Sequence, residues 1–145
     1  MIKDSFAYIA NYLWRESIRN INTNLTETEQ KSFSSNDYYY LTTIYYLGRP
    51  NFSQIAEALN FSKPAISVLV RKLAQLGLVE KIQSEEDRRV YYVSVTPKGK
   101  SIIEGDQELY REFDILIQKL LSSREQYNFI DNLLEEIVRN LTNKK

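Results

Sequence analysis

Hydrophobic residues recur along most of the chain at intervals of three and four positions, the spacing of one face of an α-helix. The stripes predict helices over residues 2–25, 36–47, 54–59 and 63–76, a long helix over 97–120, and a last helix that begins at Ser122-Ser123. Two short runs rich in β-branched and aromatic residues, 78–82 and 90–95, predict a pair of strands. The expected fold class is therefore mainly α with a small β-wing (α+β).

Capping residues set the expected starts of the early helices. The polar stretch 24–36 is expected to be turn-rich, and Ser34 or Ser35 can cap the helix that follows it. Residues 51–53 are expected to form a short strand, and Ser53 is expected to cap the next helix.

The helices over 54–59 and 63–76 are joined by a turn short enough to cross them as a helix-turn-helix. Four apolar residues of the second helix are expected to face the core together: Ile66, Leu69, Leu73 and Leu76. The residues at its start and on its outer face are candidates for contacts with double-stranded DNA in a major groove: Ser62, Lys63, Pro64, Ala65, Ser67, Val68, Arg71 and Lys72. The alternative is an amphipathic surface helix without that role.

The loop between the two strands carries Asp87, Arg88 and Arg89. An arginine at the tip of a two-stranded ribbon can enter a minor groove, whose negative potential attracts it. Asp87 is expected to pair with a neighbouring arginine and fix its direction, while Glu85 and Glu86 face solvent. The alternative is an exposed turn with compensating charges. The helix pair and the ribbon together predict a winged helix-turn-helix, with the peripheral helices as scaffold.

Charge is distributed unevenly, although the net charge is zero. Residues 61–100 hold eight Lys or Arg against four Asp or Glu, so this segment carries +4 and the rest of the chain −4. A basic segment between acidic flanks favours a local surface that binds a polyanion. The alternative is chance variation on a solvated surface.

The chain contains no Cys and no His. Disulfides, Cys/His zinc sites and Ser-His or Cys-His nucleophile pairs are therefore excluded. Carboxylates fall singly on polar helix faces and there is no glycine loop for phosphate, so we expect no enzyme, catalytic residue, metal or cofactor. No apolar run reaches the roughly 20 residues of a membrane span, and the N-terminus lacks a signal-peptide pattern. We expect a soluble, cytoplasmic protein that makes no membrane contact.

The run SQIAEALNFSKPAISVLVRKLAQLGLVEK, followed by DRR and then VSVTPKG, resembles the MarR family of bacterial transcriptional regulators. The resemblance covers the middle third of the chain, and its skeleton is fairly specific to that family among winged helices: Leu73, Gly77-Leu78-Val79, Asp87, Arg89, Thr96 and Gly99. Lys81 stands where relatives often have Arg. The lack of Cys and His excludes the thiol-oxidation and zinc-sensing branches of the family.

The resemblance implies a single MarR-like domain over 1–145, with a winged-helix DNA-binding lobe at about 36–99 and dimerisation helices at about 1–25 and 97–143. It implies an obligate homodimer whose recognition helices enter successive major grooves of a pseudo-palindromic site, with the wings in flanking minor grooves. The implied DNA contacts come from Ser62 through Lys72 and from Arg88 and Arg89.

Aromatic residues are abundant in the first and second predicted helices. In relatives that respond to small aromatic or lipophilic ligands, the ligand zone lies between the dimer helices and the DNA-binding lobe. Here the expected lining is Tyr8, Tyr12, Trp14, Tyr38, Tyr45 and Tyr46. The alternative is that these are core and interface aromatics. The expected function is a repressor released by such a ligand, and the alternative is a winged-helix protein-interaction module without specific DNA binding.

Overall fold

The computed structural model describes residues 1–143, which form seven helices and one two-stranded sheet. Its elements are α1 (Ile2–Asn24), α2 (Glu27–Ser32), α3 (Ser35–Leu47), α4 (Phe52–Leu59), α5 (Lys63–Gln75), β1 (Val79–Gln83), β2 (Tyr91–Val95), α6 (Pro97–Leu120) and α7 (Arg124–Thr142). The fold is mainly helical with a small antiparallel β-ribbon, as the hydrophobic pattern predicts. No described helix is long and apolar enough to cross a membrane.

Three helices begin with reciprocal capping boxes, in which the cap side chain and the third helical residue bond to each other's backbone N–H. Ser34 caps α3 in this way, confirming one of the two predicted caps. The stretch predicted to be turn-rich instead contains the short helix α2, because Thr26 and Glu29 form a second box. Thr26-x-x-Glu29 is a recognisable helix-start pattern that the composition of the stretch obscured.

The start of α4 corrects two further predictions. The helix begins at Phe52 rather than after Ser53, because the Asn51 side chain accepts a hydrogen bond from the Gln54 backbone N–H at 2.9 Å. The Gln54 side chain in turn accepts from the Asn51 backbone N–H at 2.8 Å. Residues 51–53 therefore do not form the predicted strand. Asn51 alone pairs with the ribbon, through an isolated antiparallel β-bridge to Tyr92.

The core lies among α3, α4, α5 and the ribbon, together with the end of α1 and the first turns of α6. The stripe predicted on α5 is confirmed, since its four apolar residues are all buried. The largest fully buried aliphatic side chains are Leu41, Ile44, Ile55, Ile66, Leu73, Leu78, Ile102 and Ile103. Ser62 caps α5 and Pro64 lies in its first turn, as predicted. The outer face of α5 is thus directed away from the core.

The ribbon is antiparallel, and its register pairs Val79 with Val95 and Gln83 with Tyr91. It leads directly into α6, where the Thr96 hydroxyl accepts a hydrogen bond from the Gly99 backbone N–H at 3.2 Å. This cap and the proline that follows confirm the predicted start of the long helix.

A buried carboxylate joins α1, α3 and α6. Asp106 is 1% exposed and accepts hydrogen bonds from the Ser17 hydroxyl at 2.7 Å, the Asn20 amide at 3.1 Å and the Tyr38 hydroxyl. At neighbouring Gly105, an added Cβ would lie 2.2 Å from the Asn20 side-chain oxygen, so a larger residue there would displace the Asn20 side chain from its hydrogen bonds to Ile102 and Asp106. Nothing in the sequence pattern predicts this polar cluster.

The described residues fall into two compact units, 1–107 and the part from Glu108 onward. Within the first unit, α1 is buried only in its second half, at Ser17 and Ile21. Within the second, the Tyr127 hydroxyl donates to Asp114 at 2.7 Å and so links α7 to the end of α6. No residue of α7 is buried. The apolar stripe predicted for this helix is present but uncovered.

Candidate nucleic-acid interface

The outer face of α5 is a surface of small and basic side chains. At its start, the Ser62 hydroxyl accepts a hydrogen bond from the Ala65 backbone N–H at 3.3 Å, which fixes the first turn. The predicted contact residues Ser62, Lys63, Pro64, Ala65, Ser67, Val68 and Arg71 are all exposed on this helix. Val68 is 63% exposed, which is unusual for a valine on a helix whose other aliphatic residues are buried. The face is narrow enough to enter a major groove.

Lys72 differs from the other predicted contact residues. Its ammonium lies 2.6 Å from the Asp37 carboxylate of α3, and its side chain is 41% exposed. The sequence pattern places Lys72 at the edge of the outer face of α5. The structure also gives Lys72 a bond that ties α5 to α3, so its charge is already largely balanced.

Asp37 is the buried partner in that bond. Burial of the carboxyl opposes its ionisation, but hydrogen bonds from Lys72 and from the backbone N–H and hydroxyl of Ser34 outweigh this and hold the pKa of Asp37 below its ordinary value. Asp37 is therefore a carboxylate that at once caps α3 and anchors α5. Sequence reasoning missed it, although Asp at the third helical position after a serine cap is a signal that could have pointed to it.

The loop between β1 and β2 is held by its own side chains. The Asp87 carboxylate accepts from the Arg89 guanidinium at 3.0 and 3.1 Å and from the Arg89 backbone N–H at 3.0 Å. These hydrogen bonds lower the pKa of Asp87, and the bond from the Arg89 side chain contributes most. The Gln83 side-chain amide donates to the Arg88 carbonyl at 2.7 Å. The expected pairing of Asp87 with an arginine is present, and the partner is Arg89.

A cationic side chain on β1 completes the surface. The Lys81 ammonium lies 4.0 Å from the centroid of the Tyr91 ring and 5.6 Å from that of Phe52. The register explains the first contact, because Lys81 pairs with Val93 and Tyr91 is the diagonal neighbour on the same face of the ribbon. Neither ring was singled out from the sequence, since the contact depends on strand register.

The six aromatic residues predicted to line a ligand zone have different surroundings. The Tyr38 hydroxyl donates a hydrogen bond to Asp106, and the rings of Tyr45 and Tyr46 pack edge to face with centroids 5.3 Å apart. Trp14 lines a cavity of about 400 Å³ together with other residues of α1, with Gln30 of α2 and with residues around the start of α3. Tyr8 and Tyr12 are exposed on α1. A shared lining by all six stays a prediction.

Among residues 1–143, no three His, Cys, Asp or Glu side chains come together as a metal site would require. The charged groups of this surface are instead spread along α5, β1 and the loop. They present cations outward, while the carboxylates Asp37 and Asp87 lie beside basic partners. The arrangement is suited to binding an extended polyanion.

Residues 33–91 match the family model described as the MarR family. The chain is 26% identical over 96 residues to the HTH-type transcriptional regulator BilQ of Clostridioides difficile. The alignment covers 66% of this chain and 65% of BilQ, so the chain spans just under two thirds of the length of that relative. The chain is thus similar to the MarR family over this segment. FabT of Streptococcus pneumoniae, solved in complex with DNA, matches with a TM-score of 0.63 at 21% identity and covers 99% of this chain and 97% of its own. A variant of MepR from S. aureus, bound to an oligodeoxyribonucleotide, matches with a TM-score of 0.63 at 19% identity, covering 96% of this chain and 97% of its own.

The structural matches show a winged-helix fold. The segment matched by the family model contains α3, α4, α5, β1 and the loop. All of the candidate DNA-contacting residues therefore lie inside it. Tyr8, Tyr12 and Trp14 of the expected ligand zone lie outside it.

Proposed function

We propose that this protein is a sequence-specific, DNA-binding transcriptional regulator that binds a pseudo-palindromic operator as a homodimer and acts as a repressor released by a small-molecule ligand. The observation that carries the proposal is the exposed outer face of α5 beside a loop whose arginine is already oriented. Both features lie in the segment that matches the MarR family model. Relatives named as transcriptional regulators, and DNA complexes among the structural matches, support it.

The α5 face fits major-groove recognition. Ser67 and Arg71 can donate hydrogen bonds to base edges, and Val68 can contact thymine methyl groups. The core face of the same helix is fully buried, which holds these side chains at a fixed depth. In this proposal α5 reads sequence and the other contacts position it.

The loop fits the adjacent minor groove. The bidentate bond from Arg89 to Asp87 limits the directions that the guanidinium can take before DNA arrives. Arg88 next to it has its backbone carbonyl fixed by Gln83. We assign minor-groove binding to these two arginines, and the role of orienting Arg89 to Asp87.

The homodimer is supported by the uncovered stripe of α7. Six apolar side chains on this helix are each at least 45% exposed: Phe129, Leu133, Leu134, Ile137, Val138 and Leu141. A contiguous apolar surface on a soluble protein marks an interaction site. A second copy of the chain supplies a matching stripe, and a two-fold dimer presents two α5 helices to a pseudo-palindromic site.

Release by a ligand is supported by the aromatic side chains of α1 and α3 and by the cavity beside Trp14. A ligand that binds the free dimer better than the DNA-bound form lowers DNA affinity by the ratio of its two affinities. A screen of aromatic acids and acyl compounds against the protein–DNA complex tests this part. If none of them shifts DNA affinity, release by a ligand of this class is wrong.

Selection from a random-sequence DNA pool, followed by fluorescence anisotropy, tests the central proposal. We expect an enriched site with two related half-sites, bound more tightly than scrambled DNA and with a steep dependence on salt. Equal binding to selected and scrambled DNA at every salt concentration would contradict sequence-specific regulation. A protein-interaction module would give that result.

A further inference from the structure

A cavity of about 500 Å³ opens between α5 and β1. It is lined by the apolar residues Phe52, Val70 and Ala74 and by the polar residues Ser67, Arg71, Gln75 and Lys81. Two cations and a hydroxyl thus surround a recess without a carboxylate in its lining. A recess of this kind is suited to an anion.

The two cations are among the basic residues of segment 61–100 that form no ion pair. Three of the eight Lys and Arg residues there do form one: Lys72 with Asp37, Arg89 with Asp87, and Lys98 with Glu29. Within residues 1–143, no carboxylate lies at ion-pair distance from Arg71 or Lys81. Their charge is therefore available to a partner from outside the chain.

Lys81 is held in place by rings instead of charges. Its ammonium lies over Tyr91 and near Phe52, and the flexible stem of a lysine is ordered by such contacts. The rings leave the positive charge intact, whereas a carboxylate would cancel it. This is an arrangement that fixes a cation while keeping it free to bind an anion.

The position of the cavity indicates which anion it meets. In the proposed complex α5 lies in a major groove and the loop lies in the neighbouring minor groove, and one phosphodiester strand separates two such grooves. β1 leads from α5 to the loop, so the recess between α5 and β1 faces that strand. We infer that this recess binds a backbone phosphate of DNA through Lys81, with Tyr91 and Phe52 as the support of Lys81, while Ser67 and Arg71 beside it remain directed to the bases. The inference rests on the proposed function and adds a phosphate site to it.

The test compares Lys81→Gln with wild type in anisotropy titrations across a salt series on selected and scrambled DNA. Losing one phosphate contact lowers the slope of log affinity against log salt by about 0.9. The deficit of the variant therefore shrinks by about 3.5-fold between about 50 and about 200 mM salt. We expect the same change on both DNAs, because a phosphate contact does not depend on base sequence. Lys31→Gln, an exposed lysine on α2, is the matched control and should leave the slope unchanged.

Replacement of single phosphates by neutral methylphosphonates then locates the partner. On one probe of the scan, wild type and Lys81→Gln should bind equally, since the charge that Lys81 contacts is already gone. Tyr91→Leu keeps the cation and removes its support, so it should weaken binding in the same direction by a smaller factor. Urea unfolding of each variant separates a loss of binding from a loss of folding.

An unchanged salt slope for Lys81→Gln would overturn the inference, and so would a methylphosphonate scan in which no position removes the effect of the variant. A deficit confined to selected DNA would assign Lys81 to base reading and would also overturn it. The proposed function is contradicted by a different result, namely that the wild-type protein prefers no DNA sequence. In that case the slope of log affinity against log salt on scrambled DNA would still test the phosphate site.

Discussion

Helices α5 and α7 have equally clear apolar stripes in the sequence, but the stripe of α5 is buried and that of α7 is exposed. In α5, Ile66 and Leu73 are 0% exposed and pack into the core of their own chain. In α7, Leu134 and Ile137 remain 50% and 45% exposed. The spacing of hydrophobic residues thus shows that a face needs to be covered. It does not show whether the cover comes from the same chain.

The comparison assigns the two helices different energetic roles. Burial of the α5 stripe stabilises the fold of a single chain, whereas the exposed α7 stripe contributes little to it and, in the proposed dimer, stabilises association. The outer face of α5 is in turn the one that we propose meets DNA. Each face can be tested by substitutions whose effects differ in kind and in size.

The largest effect is expected in the core of α5. Leu73→Ala leaves a cavity beneath the helix and should lower the free energy of unfolding by about 2–5 kcal/mol, as measured by urea denaturation. Val68→Ala on the exposed face of the same helix is the control and should change it by less than about 0.5 kcal/mol. Equal effects of the two changes would mean that the faces of α5 are assigned wrongly.

Charges introduced on the α7 stripe are expected to weaken self-association. The double change Leu134→Glu and Ile137→Glu should weaken self-association about a hundredfold, because carboxylates would be buried in an apolar interface. Sedimentation equilibrium measures it, with Asn132→Glu as a control that adds a charge off the stripe. If the double variant associates as wild type does, α7 does not form the dimer interface.

Asp37→Asn should weaken the bond between α3 and α5 by about 1–3 kcal/mol at neutral pH, since Lys72 would lose a charged partner. The pKa of Asp37 is lowered in the folded state, so its contribution is fully present above the unfolded value, near 3.8, and is lost as pH falls through the folded value. Urea unfolding at a series of pH values should show the difference between wild type and variant constant above about pH 5 and shrinking at lower pH. A difference that grows on acidification would contradict this role for Asp37.

On the outer face of α5, Arg71→Ala should weaken binding to the selected site by about 1–3 kcal/mol and relax its base preference. Lys63→Ala should mainly reduce the salt slope, by about 0.9 per phosphate contact. Anisotropy with base-substituted probes distinguishes the two. An equal loss on all DNA sequences for Arg71→Ala would make it a phosphate contact.

Local signals predicted the elements of this protein well. The repeat from Ile66 to Leu76 and the Ser62 cap with Pro64 act within a few residues of one another, so the periodicity and cap chemistry of α5 are readable without tertiary information. The same kind of signal was available at Thr26 and Asn51, where the presence of α2 and the start of α4 were mispredicted. Both residues of each capping box are present in the sequence, so these two helix starts were predictable from local signals that were overlooked.

The sequence by itself determined the helical and strand pattern, the basic middle segment, the exclusion of Cys and His chemistry, and which faces are apolar. The tertiary structure alone decided the polar contacts between residues far apart in the chain. Lys72 meets Asp37 across 35 positions of the chain, and Ser17 meets Asp106 across 89. Lys81 meets two rings through the register of the ribbon. Such pairs depend on how the helices and strands pack against one another. Periodicity describes only neighbouring turns of one helix, and composition carries no information about position, so neither predicts them.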